Sequence, residues 1–83
     1  MTREEIEELC EQNDISLVLA DGLDEAFIGW VDGEPPRAVY SKEACVQCMV
    51  DEGMEYGEAL EYLEYNTFGA WIGPMTPIFV NTP

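Results

Sequence analysis

The chain has 83 residues, 18 of them acidic against three Lys and Arg and no His, for a formal net charge of −15. Its length bounds it to one domain with a thin core, and its charge argues against direct binding of nucleic acid or of an anionic membrane, both of which need a basic face. Without His, the Ser-His-Asp and Cys-His mechanisms and His-ligated metal are excluded.

In chain order, the first expected element is a helix near residues 2–13. Thr2-Arg3-Glu4-Glu5 reads as a capping box, with Ile6, Leu9, Cys10 and Asn13 on one face and Glu4, Glu8 and Glu11 opposite. The branched, apolar run Ile15–Ala20 predicts a strand, and Asp21-Gly22 a turn. Residues 26–31 predict a second strand, broken by Asp32-Gly33-Glu34-Pro35-Pro36, and residues 37–40 a third. The three are expected to form an antiparallel meander. Ser41 is placed to cap a helix over 42–52, with a Cys45, Val46 and Met49 stripe and Gly53 just past its end. A third helix is expected over 55–66, with Tyr56, Ala59, Leu60 and Leu63 inward. Glu58, Glu61, Tyr62 and Tyr65 face outward, with Glu64 beside them. Ile78-Phe79-Val80 is a short last strand, expected to join the meander. The order αβββααβ predicts an α+β fold, a small antiparallel sheet packed with three helices.

From Asp21 onward the chain resembles a small family from phages and from prokaryotic genomes carrying phage-like genes. The resemblance rests on Ala20-Asp21-Gly22-Leu23-Asp24-Glu25-Ala26-Phe27-Ile28-Gly29, Ala38-Val39-Tyr40-Ser41 and Gly53-Met54. Its strongest blocks are Glu58-Ala59-Leu60-Glu61-Tyr62, Asn66, Gly69-Ala70-Trp71-Ile72-Gly73 and Thr76-Pro77-Ile78-Phe79-Val80. It covers roughly three quarters of the chain. Where the family pattern has Ser or Thr, this chain has Glu55, which removes a good cap from the third helix. The resemblance implies an origin in a mobile element and no particular mechanism.

No apolar run reaches the length of a membrane span. The acidic, amphipathic beginning is unlike a signal or transit peptide, so a cytoplasmic location, in a host cell, is expected. Cys10, Cys45 and Cys48 are an odd number and read as reduced core thiols. Cys45-Val46-Gln47-Cys48 has the spacing of half a zinc knuckle or of a redox pair, but its second half is missing. Asp21, Asp24, Glu25, Asp32 and Glu34 read as solvated turn residues, because their spacing lacks the alternation of a calcium loop. Asp21 is expected to accept backbone N–H bonds within its turn. No catalytic residue, cofactor or metal ligand is therefore assigned. Carboxylate pairs are the narrow route left to catalysis, and a chain of this size encloses little of a substrate. Sequestration of a nucleotide by an oligomer would have to draw on Arg3, Arg37 and Lys42 alone, beside the flexible Gly69–Gly73 segment.

The acidity is the most informative feature. Opposite-sign partners one turn away are nearly absent, Arg3 and Glu7 being the one candidate pair. Adaptation to high salt is one source of such a charge. The other is a basic protein partner, and this reading is preferred. Glutamates on successive turns stand about 5–6 Å apart, near the phosphate spacing of a nucleic-acid strand. Glu58, Glu61, Tyr62 and Tyr65 are expected to make the contacts, and Glu4, Glu8 and Glu11 to steer. The expected function is non-enzymatic: an accessory protein that binds a basic host protein, with DNA mimicry against a host defence as one form. A self-assembling module, such as a homodimer, or an oligomer that sequesters a small ligand such as a nucleotide, is the alternative.

Overall fold

A computed structural model describes the chain from Met1 to Pro83. The first helix, α1, spans Arg3–Gln12. Its capping box forms as expected: the Thr2 hydroxyl accepts from the Glu5 N–H at 3.1 Å, and the Glu5 carboxylate accepts from the Thr2 N–H at 2.9 Å. Those bonds hold the Glu5 carboxyl below its ordinary range. At the other end Asp14 takes a left-handed φ of 53°, and the Ile15 N–H returns to the Cys10 carbonyl at 3.0 Å. The helix is thereby closed and the chain reversed.

Residues 15–20 do not form the expected strand. Leu17, Leu19 and Ala20 pack against the core instead, and the Ala20 N–H donates to the Tyr40 hydroxyl at 2.9 Å. A short 3-10 turn, Asp24–Ala26, leads into β1, Phe27–Val31. β1 pairs antiparallel with β2, Arg37–Ser41. β2 runs directly into α2, Lys42–Asp51, because Ser41 ends the strand and caps the helix, its Oγ accepting from the Ala44 N–H at 3.2 Å. Gly53, at φ 110°, closes α2 through Gly53 N–H to Val50 C=O at 3.0 Å and Met54 N–H to Met49 C=O at 3.1 Å.

The third helix, α3, spans Tyr56–Leu63 and widens into a π-type turn over Glu64–Phe68. The last strand, β3, is Ile78–Val80, and it joins β2 in parallel. The sheet is therefore three-stranded, mixed and ordered β1-β2-β3, within an α+β fold. The antiparallel four-strand sheet expected from the sequence is corrected on both counts. Two helices between β2 and β3 carry the chain back to the start of β2, and such a crossover yields a parallel pair.

Helices cover one face of the sheet. Ala38 and Tyr40 of β2 are fully buried there against Ile6, Cys45, Val46, Ala59 and Leu63. The Tyr40 ring meets Phe27 edge-on at 5.8 Å and stacks on Phe79 at 5.5 Å, which in turn touches Phe68 at 5.1 Å.

Glu55 stands at the cap position of α3 and makes no capping bond. Glu55→Asp keeps the charge and shortens the side chain to capping length. It is expected to stabilise the fold by about 0.5–1 kcal/mol. An unmoved urea midpoint would mean that the start of α3 is already satisfied by water.

Candidate functional site: the acidic face of α3

Three inward positions orient α3. Ala59 and Leu63 are buried and Leu60 is half-buried. With that face anchored, the helical repeat puts Glu58, Glu61 and Tyr62 outward. The wide turn after Leu63 carries the same stripe on to Tyr65. Asn66 pins the turn by donating from Nδ2 to the Tyr62 carbonyl at 3.0 Å.

Glu58, Glu61, Tyr62 and Tyr65 line one shallow depression, together with Met54 and Asn66. The first four were expected on this face from spacing alone. Met54 was missed, because it belongs to the α2–α3 connection and reaches the face only through the tertiary fold. Tyr62 is 49% exposed and Tyr65 89%, so neither ring is folded under the C-terminal segment. Neither glutamate makes an ion pair.

The remaining expected residues distribute differently. Glu4, Glu8 and Glu11 are exposed along α1 and belong to no depression shared with α3. Glu64 does not flank Glu58 and Glu61 in their depression; it lines a separate cleft with Lys42, Glu43 and Phe68. Tyr56 is not a core residue. It is half exposed and donates its hydroxyl to a Glu43 carboxylate oxygen at 2.9 Å, which raises its pKa.

All three cations have internal partners. Arg3 does not pair with Glu7. Its Nε donates to Asp24 at 3.2 Å and its Nη2 to Asp21 at 3.2 Å. The Asp21 carboxylate thus serves Arg3 and not its own turn, and the hydrogen bond to Asp24 leads in raising the Arg3 pKa. Arg37 donates from Nε to the Thr76 carbonyl at 2.7 Å and lies 5.9 Å from the Trp71 ring centre. The Lys42 ammonium sits 5.5 Å over the Phe68 ring. The three are therefore not gathered around one anion site.

The Cys45-x-x-Cys48 pair lies on α2. Cys45 is fully buried, and burial pushes its thiol up to about 12. Burial also raises Cys48 and Cys10. Such thiols are poor nucleophiles at neutral pH. No group of three Cys, Asp or Glu side chains converges in a way that would hold a metal ion. No helix is long and apolar enough to cross a membrane.

The chain matches no protein-family model, no curated protein and no solved structure.

Proposed function

We propose that the protein is a non-enzymatic accessory protein that docks on a basic host protein through the α3 face and blocks it. The observation that carries this reading is the convergence of Glu58, Glu61, Tyr62 and Tyr65 around one depression with no cation among its lining residues. Carboxylates left unpaired at the surface steer a basic partner in, while exposed tyrosines supply rigid contact area at low entropic cost. The two roles separate kinetically, charge acting mainly on association and the rings on dissociation.

A basic groove that normally holds nucleic acid is a surface of the required chemistry. The phage-like sequence blocks of the chain make a host-defence protein one concrete target. The test is capture of host proteins on the tagged chain at about 0.05 M and about 0.5 M salt, where the Debye length shortens from roughly 14 to 4 Å. A basic protein held at low salt and weakened at high salt is the expected result. With that partner, Glu58→Lys combined with Glu61→Lys is expected to slow association at least about tenfold at low salt, while the domain stays folded. An unchanged on-rate would remove this face from the mechanism.

A further inference from the structure

We propose that the face of the sheet away from the helices, together with the Trp71–Ile72 loop, is the seat of a second copy of this chain. This proposal stands apart from the α3 reading and uses a surface of the contrary character.

Strand register identifies the face. Val31 pairs with Arg37, Gly29 with Val39, and Val39 with Ile78, so these residues share the side away from Tyr40. Val31 is exposed, Val39 and Ile78 are half-buried, and none of the three belongs to the core cluster. A sheet with one face in water normally alternates apolar with polar residues. Here the strands read Ala38-Val39-Tyr40 and Ile78-Phe79-Val80, apolar on both sides.

The face is extended by the loop before β3. Trp71 and Ile72 are 69% and 66% exposed. Their loop is held firmly all the same. The Thr76 hydroxyl accepts from the Ile72 N–H at 2.8 Å and donates to the Gly73 carbonyl at 2.6 Å, and Arg37 holds the Thr76 carbonyl. An exposed apolar loop fixed in this way loses little entropy when it is covered.

Charge selects the occupant. All 18 acidic side chains lie at or before Glu64, and residues 65–83 carry no charged side chain. Two chains of charge −15 repel at a distance and gain most where contact buries no carboxylate. The charge-free loop and β3, with Val31 and Val39 beside them, bring no carboxylate to the contact; Arg37, on the same face, is the one charged side chain there, and its Nε is already held by the Thr76 carbonyl. A basic protein would be drawn to the carboxylate-bearing helices instead, and an anionic membrane would be repelled. An isologous dimer places the same patch of each copy across a two-fold axis, and sheet faces pack on one another in this way.

The test is analytical ultracentrifugation of the purified chain at about 0.05 M and about 0.5 M NaCl. The expected result is a dimer of twice the 9.3 kDa chain mass that strengthens with salt. Screening removes repulsion and leaves the apolar contact, so the salt response has the opposite sign to that of the α3 partner. Trp71→Glu and, separately, Val31→Glu are expected to weaken the dimer at least about tenfold, with thermal melts close to the parent's. Both positions are exposed, and if one variant does not fold the other decides. Tyr65→Glu should leave dimerisation unchanged. A monomer at both salt concentrations would overturn the proposal. So would a dimer that salt weakens, or one that falls with Tyr65→Glu and survives Trp71→Glu and Val31→Glu.

Discussion

Tyr40→Ala is expected to leave the domain largely unfolded in plain buffer. Tyr40 is the largest fully buried side chain, and its ring joins β1, β3 and the turn after α3 through Phe27, Phe79 and Phe68. Truncating a buried aromatic to Ala costs about 3–5 kcal/mol. A chain of this length has roughly 4–12 kcal/mol in all, and self-repulsion at −15 pushes it toward the low end. Tyr40→Phe isolates the hydroxyl. It keeps the ring stack and leaves the Ala20 N–H without its acceptor, a loss of about 1–3 kcal/mol. Urea unfolding of both variants separates ring from hydroxyl. If Tyr40→Phe left the midpoint unmoved, residues 15–20 would be held by packing alone.

The second large effect is an alkaline loss of stability. The Cys45 thiol, with an ordinary value of 9.0, is pushed up to about 12 by burial. In the unfolded chain it ionises near its ordinary value. Between these two pH values the unfolded state therefore holds fewer protons than the folded one, and each added unit favours unfolding. The contribution is fully present below the unfolded value and lost as pH rises through the folded one, up to about 4 kcal/mol. Cys48, Cys10 and Tyr40 are all raised by burial and add to the same slope. Chemical unfolding across this range should show a steep fall. Cys45→Ala should start less stable at neutral pH and fall less steeply. An equal slope in that variant would assign the alkaline loss to the other groups.

The legible parts of the fold are those decided within a few residues. Thr2 with Glu5, Ser41 ahead of α2, and Gly53 after it are local hydrogen-bonding solutions, and the structure shows each. The outward stripe of α3 follows from helical geometry once Ala59 and Leu63 turn inward. What was not legible depended on distant partners. Ile15–Ala20 has the composition of a strand, yet Leu17, Leu19 and Ala20 pack against the core and the Ala20 N–H goes to the Tyr40 hydroxyl, a partner twenty residues on. Arg3 bypasses Glu7, one helical turn away, for two aspartates about twenty residues on. Tyr56 leaves the core because Glu43, on α2, accepts its hydroxyl. The parallel β3 did have a signal: two helices between consecutive strands are a crossover, not a hairpin. The uncharged loop before β3 also had one, the abrupt end of charge at Glu64.

The scarcity of cations has a practical consequence for following the motions of this protein. Trypsin cuts after Lys and Arg, and the chain offers three such bonds, after Arg3, Arg37 and Lys42. Arg37 opens β2 ahead of the fully buried Ala38, Lys42 opens the first turn of α2, and Arg3 opens α1. A protease needs several residues of extended, accessible chain, so none of these bonds is cut until its element opens. The two interior sites straddle the junction where the central strand becomes a helix. Tryptic digestion of this protein is therefore a clock for the opening of its middle, the cut after Arg37 reporting the parting of β2 from its neighbours and the cut after Lys42 the opening of the first turn of α2.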